Sequence, residues 1–428
     1  VVLPFRCDSP TLQRNMIIPL GEDYKFVDAR AIEDTDSSNE KRLQRVNPVY
    51  KFQHDRVQQA AYALIDDDQK QAVHLSVGRL IQEHADDQSR EEQLINIVGH
   101  LNIGRKLITD PAECRDLAIL NLRAGQKARH SSAYQSALEY LEIGQQLLTG
   151  DPWQDDYELA KTLGLEHQQC AYLTGKLDDA DLKIDEMLQR VRTNLEKAEI
   201  LSRRTRQYAT IGRMEASIQA AIIGLNLLGM KISDHPGWFD VQRELWQTRW
   251  NLGKRSIPDL INAKELNDPE KMVAIRLLME IFPAAFLSGS DKLLPVLILK
   301  SVNISLRHGN SPESAFAYAA YGMLLCGSLN NPALGFEYGK LAVAMNDRFN
   351  DIQLKSRVIY VYGMFIHHWS KHWATMTPWF RKGIEAGYQS GDLLYLAYSE
   401  QDCIIWDPGM DLPTASAEQK KYLSIVKD

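Results

Sequence analysis

The hydrophobic periodicity of the sequence changes once, early in the chain, and this change constrains what the rest can fold into. Tyr50 and Phe52 alternate with polar residues as the side chains of a half-buried strand do. From Val57 to Leu64, apolar residues instead recur at the spacing of one helix face. Asp55 can accept the backbone N–H of Gln58, whose amide can reach back, so a helix is predicted to begin there.

Strand character is confined to residues 1–53, where a small β-hairpin is expected. Its first strand is predicted at Ile17-Ile18. The triplet Tyr-Lys-Phe occurs at residues 24–26 and again at residues 50–52, and either copy could form the second strand; we favour the second. The run at residues 33–41 has almost no apolar side chain and predicts a mobile loop, because it cannot offset its ordering entropy by burial.

Helix start and stop signals follow one another through residues 54–428. Four polar residues stand directly before a proline, as an N-cap residue does before the first helical position: Asp110, Asp268, Ser311 and Asn331. Three glycines follow periodic runs, as left-handed C-cap residues commonly do: Gly150, Gly253 and Gly289. This punctuation predicts about eighteen helices of about 10 to 20 residues with short connections.

A weak internal repeat runs through the helices. Gly175 and Gly212 mark turns, and each is followed five positions later by a small residue, Ala180 and Ser217 respectively. With Ala137, these small residues are spaced 43 and 37 residues apart, longer than the regular 34-residue tetratricopeptide unit. Small residues let two helices approach closely. The sequence therefore predicts an all-α fold, a right-handed α-superhelix of degenerate tetratricopeptide-like hairpins.

The repeat blurs between residues 230 and 310. Apolar residues there still predict one amphipathic helix, on the spacing of Val241, Leu245, Trp246 and Trp250. Prolines interrupt the segment at Pro258, Pro283 and Pro295. We therefore expect irregular helices here, and a joint in the superhelix.

Composition excludes several classes of protein. The net charge of -7 and the pI near 5.9 argue against a nucleic-acid surface, which needs a surplus of clustered cations. The five cysteines are widely spaced and form no C-x-x-C pair, which favours a reduced, cytoplasmic setting without a disulfide framework. The longest apolar run, residues 293–299, is far shorter than the roughly 20 residues that cross a bilayer. Neither nucleic acid nor membrane is an expected partner.

Catalytic motifs are absent from the sequence. There is no phosphate-binding loop, no dinucleotide fingerprint, no H-E-x-x-H and no G-x-S-x-G, so we expect neither an enzyme nor a cofactor in these residues. The strongest metal candidate pairs His368 with His372, expected four residues apart on one helix face beside Trp369 and Trp373. Two imidazoles without a third ligand make an incomplete site, and no metal is expected.

Two sets of residues are candidates for binding. Around the junction, His54-Asp55-Arg56 could suggest a catalytic pair, but no nucleophile accompanies it, and capping with contacts to a neighbouring domain is the better interpretation. That interdomain set is His54, Asp55, Arg56, Gln58 and Gln59. Aromatic and polar residues that could line a groove, although most such aromatics belong to cores, are Tyr172, Arg206, Tyr318, Tyr321, His368 and Trp369.

The stretch from Tyr50 to Tyr62 resembles the signature that opens the tetratricopeptide-like helical region of large bacterial multidomain signalling ATPases. Further segments extend the resemblance over roughly residues 45 to 400: Val98–Asn102, Leu122–Ala128, Ser132–Tyr134, Arg276–Met279, Ser305–Ser311 and Phe316–Gly322. The resemblance implies flanking domains of several kinds, namely a Ser/Thr-kinase-like domain, an AAA or STAND-type NTPase, a GAF domain, and a histidine kinase or diguanylate cyclase. It also implies that residues 16–53 are the last hairpin of a winged-helix module.

The sequence lacks an initiating Met, and we expect it to be part of a longer polypeptide whose catalytic residues lie outside these residues. The function expected from the resemblance is a cytoplasmic, non-catalytic sensor or scaffold region. It would bind a protein, a peptide, a small ligand or flanking domains of its own chain. The alternative is the ligand-sensing arm of a STAND-type transcription activator; the reading frame beyond Asp428 would distinguish the two.

Overall fold

The computed structural model describes residues 17–19, 50–52, 56, 62, 66–289 and 291–427, and these residues are predominantly α-helical. The all-α prediction is confirmed at this level, while the right-handed superhelix stays a prediction. The chain divides into two compact units, residues 1–180 and residues 181–428. The predicted boundary between residues 53 and 54 is not tested by this division.

Two short strands precede the described helices of the first unit. Strand β1 (Ile17–Pro19) pairs antiparallel with β2 (Tyr50–Phe52), with Ile17 opposite Phe52. The second Tyr-Lys-Phe triplet is thus the one opposite Ile17-Ile18. The first triplet and the acidic loop at residues 33–41 lie outside the described residues, and the winged-helix assignment stays a prediction.

The first unit is built from helices of very different length. They are α1 (Asp67–His84), α2 (Asp87–Glu92), α3 (Leu94–Gly104), a 3-10 turn (Arg105–Leu107), α4 (Pro111–His130), α5 (Tyr134–Leu147), α6 (Pro152–Asp155) and α7 (Tyr157–Leu173). The unit boundary falls inside α8 (Leu177–Arg190). Helix α1 packs on α3, α4 on α5, and α5 on α7. Leu117, Leu141 and Leu163 form the centre of the core between them, each no more than 2% exposed.

One turn geometry recurs where the sequence repeat was placed. Ser132, Gly175 and Gly212 have positive φ angles of 60°, 77° and 79°. After each, the next backbone N–H donates to a carbonyl five residues back; these bonds join Ala133 to Ala128, Lys176 to Ala171 and Arg213 to Tyr208, at 2.9, 3.0 and 2.9 Å. This is the Schellman closure of a helix C-terminus, so each helix ends and the next begins within a few residues.

The small residues that follow these turns are buried, as the pattern predicts. Ala137, Ala180 and Ser217 are 0%, 3% and 0% exposed. The Ser217 hydroxyl is satisfied, because it donates to the carbonyl of Thr205 at 2.8 Å. Each short side chain therefore sits where a longer one would separate neighbouring helices.

The second unit contains the remaining helices and three 3-10 turns among the described residues. They are α9 (Asn194–Thr210), α10 (Met214–Leu227), α11 (Trp238–Leu252), a 3-10 turn (Pro258–Asn262), α12 (Pro269–Glu280), α13 (Phe282–Leu287), α14 (Leu293–His308), α15 (Pro312–Gly327), α16 (Pro332–Phe349), α17 (Ile352–Phe365), two 3-10 turns (His367–Trp369 and Trp373–Thr375), α18 (Thr377–Ser390), α19 (Leu393–Ile405) and α20 (Leu412–Lys427). Neighbours along the chain pack as hairpins, notably α9 with α10, α15 with α16, and α17 with α18.

Glycines lie where α16 contacts its neighbours α15 and α17. A Cβ on Gly322 would lie 2.8 Å from the carbonyl oxygen of Gly335, and one on Gly339 would lie 2.8 Å from Cδ2 of Tyr362 in α17. Real Cβ atoms essentially never come within 3.0 Å of another heavy atom in this way. The glycines thus set the spacing of this hairpin and of the helix packed on it.

The segment with the irregular repeat contains a piece of extended backbone. The amide of Leu266 donates to the carbonyl of Asn310 at 2.8 Å, and the amide of Asn310 donates to the carbonyl of Lys264 at 2.8 Å. Glu265 and Asn310 form an isolated parallel bridge. Gly309 makes this possible, because its φ of 115° is one that other residues rarely adopt and the backbone of Lys264 would meet a Cβ there. Strand-like pairing therefore occurs here too, where only helices were expected.

Most predicted caps are present. The side chains of Asp110, Asp268 and Asn331 each accept a backbone N–H in the first turn, at 3.0 to 3.2 Å. Ser311 differs, because its backbone N–H donates to the Ser314 hydroxyl at 2.9 Å while its own buried hydroxyl has no hydrogen-bond partner. The predicted C-cap glycines all have positive φ angles, namely Gly150, Gly253 and Gly289.

Candidate functional site

The interdomain set falls mostly outside the described residues. His54, Asp55, Gln58 and Gln59 are not described, and Arg56 is helical and exposed. Their contact with a neighbouring domain stays a prediction.

The two tyrosines assigned to the groove are core residues of the second unit. Tyr318 is 0% exposed, and its hydroxyl donates to Oδ1 of Asn310 at 2.9 Å. Tyr321 is 6% exposed, and both rings pack against Tyr338 at centroid distances of 6.0 and 4.8 Å. Burial raises the pKa of both phenols, so they stay neutral hydrogen-bond partners. Their aromatic spacing reflects helix packing, which corrects the groove assignment. Tyr172, in the first unit, is partly buried against the core there.

His368 and His372 do not share a helix face, contrary to the expectation. His368 lies in the 3-10 turn His367–Trp369, exposed beside Trp369, which is 46% exposed. His372 instead caps the following 3-10 turn, its Nδ1 accepting the amide of Ala374 at 3.3 Å. The continuous helix assumed from the sequence ends at Phe365, so the i, i+4 spacing carries no geometric meaning here.

His367 is the buried histidine that the sequence did not distinguish from its neighbours. Its Nε2 lies 2.8 Å from Oγ1 of Thr375, and its ring packs edgewise on Tyr362. Burial, with the nearby charges of Lys371 and His368, lowers its pKa, so it is a neutral packing residue near pH 7.

Arg206 is the exposed end of an otherwise buried ion network in the second unit. Its Nε lies 3.0 Å from Oε1 of Glu280, at the end of α12. The other carboxylate oxygen of Glu280 lies 3.2 Å from a guanidinium nitrogen of Arg357 in α17. Nε of Arg357 lies 2.5 Å from Oδ2 of Asp392, the N-cap residue of α19. Four helices, α9, α12, α17 and α19, are thereby joined through four charged side chains, which we call the ion network.

The ion network is held in its charged form. Burial alone would raise the pKa of Glu280, which is 4% exposed, but Arg357 and Arg206 outweigh it and hold the pKa below its usual range. Burial likewise opposes the charge of Arg357, yet Glu280 and Asp392 raise the pKa of its guanidinium further. Glu280 and Arg357 therefore keep their charges near pH 7, and this central pair fits a structural connection better than acid–base catalysis.

The sequence carried one signal for this network. Glu280 follows the apolar run Leu277–Met279 and precedes Ile281 and Phe282, so a carboxylate there had to be buried and paired. Its partners could not be named, because Arg357 lies 77 residues further along the chain.

Helix α11 carries a group of exposed aromatic side chains. Trp238, Phe239, Trp246 and Trp250 are 63%, 78%, 67% and 74% exposed, and Trp246 stacks on Trp250 at a centroid distance of 5.6 Å. We call these four side chains the α11 aromatic face. The amphipathic helix was predicted, but the two tryptophans counted in its apolar face point to solvent, while Val241 is buried.

One cavity inside the second unit is too small for an organic ligand. This cavity of about 10 Å³, bordered by Phe282, Phe316 and Glu313, has room for about one water molecule. Among residues 66–289 and 291–427, no three His, Cys, Asp or Glu residues come together as metal ligands. Burial raises the pKa of the Cys170 and Cys326 thiols to about 11, so both are unreactive near pH 7. No helix among the described residues has the length and apolar character to span a bilayer.

A comparison with known proteins finds weak similarity to a signal-transduction protein. No family model matches it. The chain is 24% identical over 423 residues to "Hybrid signal transduction histidine kinase G" of Dictyostelium discoideum. The match covers 88% of this chain and only 12% of that protein. The chain is therefore a helical protein with weak similarity to a signal transduction histidine kinase, and it spans a small part of that relative.

Proposed function

We propose that the chain is a non-catalytic sensor or scaffold region of a multidomain signal-transduction protein. The observation that carries the proposal is the extent of the match, which includes 88% of this chain but 12% of the histidine kinase. In that relative, the similar segment is one region within a much longer polypeptide. The region would bind a protein, a peptide or a small ligand and couple that binding to flanking NTPase and output domains.

The fold supports this role through its hairpins. Tetratricopeptide-like hairpins pack mainly on their sequence neighbours, so small rotations at each interface can accumulate along an array. The repeated turns at Gly175 and Gly212, with buried small residues after them, fit such a unit. We propose on this basis, and on the resemblance at Tyr50 to Tyr62, that the helices form a tetratricopeptide-like superhelix beside a STAND-type NTPase.

The ion network supports coupling within the second unit. Interactions among buried charges are strong only at good geometry, so a helix that moves relative to its neighbours breaks several contacts together. Glu280 and Arg357 tie α12 to α17, and Asp392 ties α17 to the start of α19. These helices would respond as one body to a ligand bound on any of them.

Two measurements test the proposal. The isolated 428-residue chain is incubated with MgATP, and hydrolysis and phosphate transfer are expected to stay at the level of buffer. In the full-length protein, Arg206→Gln, which removes the exposed arm of the ion network, is expected to change the rate of autophosphorylation. Arg381→Gln is the matched control, because Arg381 is 68% exposed and its contact with Asp407 is long, at 3.4 Å. ATP turnover by the isolated chain, or equal rates for wild type and Arg206→Gln, would count against the role.

A further inference from the structure

The cavity inside the second unit lies where α12, α13, α14 and α15 meet. Its volume is about 10 Å³, which is room for about one water molecule. Most of the side chains that border it are apolar, but Glu313 of α15 and Ser301 of α14 are polar. Cavities that stay empty in proteins are apolar, so a polar border indicates an occupant.

Glu313 has one carboxylate oxygen that the surrounding helices do not satisfy. The residue is 6% exposed, and its Oε1 accepts from Nε of Arg276 in α12 at 3.1 Å. Its Oε2 is buried and has no hydrogen-bond partner among residues 66–289 and 291–427. A buried acceptor without a donor is strongly destabilising, and more so when it carries charge. This oxygen therefore needs a donor, and the cavity at the same residue has room for one.

Ser301 presents a second acceptor at the cavity. The residue is 6% exposed, and its hydroxyl donates to the carbonyl of Ile298 at 2.7 Å. Its one hydrogen is thus already used, while the lone pairs of the oxygen can still accept. Because Glu313 and Ser301 both offer acceptors, only a molecule with two donor hydrogens can join them. Water has two such hydrogens.

The end of α12 leaves further acceptor capacity at the cavity border. Met279 borders the cavity, and in a continuous helix its carbonyl would accept the N–H of residue 283. That residue is Pro283, which has no N–H to donate. The amide of Ile281 is shared between the carbonyls of Leu277 and Met279. The Met279 carbonyl can therefore take another donor.

We propose that the cavity binds one water molecule, which donates to Oε2 of Glu313 and to either Ser301 Oγ or the Met279 carbonyl. Buried waters typically make about three hydrogen bonds to polar groups that would otherwise be unsatisfied. The bound water joins α12, α14 and α15 where α12 is interrupted, and it satisfies the carboxylate without separating the packed helices. This site is independent of the sensor or scaffold role.

The chemistry of the border selects water over a metal ion. Calcium and magnesium ions take about six or more oxygen ligands. The side chains at the border offer one carboxylate and one hydroxyl, and the remaining ones are apolar. A dry cavity is disfavoured for a separate reason, because it would leave Oε2 of Glu313 buried without a donor.

A crystal structure of the 428-residue chain, at a resolution that shows ordered water, tests the site directly. We expect one peak of density within about 3.2 Å of Oε2 of Glu313, and at a similar distance from Ser301 Oγ or the Met279 carbonyl. A cavity without density, or a peak at the metal–oxygen distances of about 2.0 to 2.6 Å, would overturn the proposal.

Substitutions at Ala317 test the same site in solution. Ala317 borders the cavity one helical turn after Glu313. Ala317→Ser puts a hydroxyl donor where the water lies, so we expect its folding equilibrium constant to stay within about threefold of wild type in urea unfolding. Ala317→Cys displaces the water with a weak donor, and its constant is expected to fall at least about tenfold. A Cys variant as stable as wild type would show that an empty space had been filled.

The matched control is Ala319, which is 0% exposed in the same helix and does not border the cavity. Ala319→Ser is expected to lose stability, because the close-packed position has no room for the added hydroxyl. Equal tolerance of serine at both positions would mean that the cavity does not decide the result at Ala317, and this would also count against the bound water.

Discussion

At the scale of single residues, the repeated turn places one residue other than glycine in a strained backbone conformation. Gly175 and Gly212 occupy the left-handed position without penalty, but Ser132 occupies the equivalent position at a φ of 60°. A residue with a Cβ is strained there, whereas glycine is not. The turn between α4 and α5 is therefore formed despite Ser132 rather than because of it.

Ser132→Gly is expected to stabilise the chain by about 0.5 to 1 kcal/mol, because it relieves this strain without removing a buried contact. The reverse change is Gly175→Ala, where φ is 77° and no atom lies within 4 Å of the added Cβ, so only backbone strain acts. It should destabilise by about 1 kcal/mol. Urea unfolding of both variants gives the comparison, and a destabilising Ser132→Gly would show that the serine hydroxyl has a role we have not assigned.

Arg357 is the residue on which the ion network depends most. Arg357→Gln would leave Glu280 with Arg206 alone and Asp392 without its cation, and the expected loss is about 3 to 5 kcal/mol of unfolding free energy. Arg381→Gln, on the surface, should stay within about 0.5 kcal/mol of wild type. Chemical denaturation followed by circular dichroism measures both. Similar losses for the two variants would mean that the buried contacts contribute no more than an exposed pair.

At the scale of helices, glycine determines how closely α16 packs on its neighbours α15 and α17. Gly339→Ala is expected to destabilise by about 1 to 3 kcal/mol, because the added methyl group would meet the ring of Tyr362 at 2.8 Å. Gly327→Ala, in the same hairpin at the end of α15, meets no atom within 4 Å and should be neutral or slightly stabilising. Thermal unfolding of the pair separates crowding from helix propensity, and equal shifts would refute the close-packing argument.

Some features of the helices could be predicted from the sequence and others could not. The caps at Asp110 and Asp268 were predictable, because donor and acceptor lie within three residues of each other. The arrangement at Ser311 was not predictable, because the Ser314 hydroxyl accepts the backbone N–H of Ser311 and the Ser311 side chain makes no cap. In α11, periodicity found the amphipathic helix but counted Trp246 and Trp250 with Val241, because spacing does not say which apolar residues meet a neighbour.

At the scale of the whole chain, long-range contacts explain what the sequence could not reveal. The helical class follows from local signals, and the buried small residues Ala137, Ala180 and Ser217 follow from the repeat. The ion network could not be predicted from local signals, because Glu280 and Arg357 are 77 residues apart in sequence. Tyr318 and Tyr321 show the converse, since an aromatic-rich stretch has the same pattern whether it lines a groove or fills a core.

The lowered pKa values of several histidines make the stability of the chain depend on pH. In the first unit, Nδ1 of His74 lies 2.8 Å from Nδ1 of His100, and Nε2 of His74 lies 2.9 Å from the hydroxyl of Tyr62. Burial lowers the pKa of His74, and burial with the charge of His74 lowers the pKa of His100. Burial also lowers the pKa of histidines in the second unit, namely His308 and His367.

The sign of the pH dependence follows from these shifts. An unfolded histidine titrates near pH 6.5, above the folded pKa of each of these residues, so the unfolded chain binds more protons as the pH falls. The free energy of unfolding is expected to decrease from about pH 7.5 towards pH 5.5 and to level off below the folded pKa values. Urea midpoints across this range measure the slope, and an increase on acidification would contradict the assignment.

His74→Gln/His100→Gln isolates the contribution of the first unit. At Nδ1 to Nδ1 contact distance, one ring must donate and the other accept, so protonating both forces two donors together. The double variant keeps hydrogen-bonding groups but cannot titrate, and the decrease in stability between about pH 7 and pH 5.5 should become smaller. Burial raises the pKa of Glu400 and Asp402, which acts in the opposite sense on acidification, but that effect is common to both proteins. The difference between the wild-type and variant slopes therefore reports the histidine pair alone, and identical slopes would mean that this pair does not couple to folding.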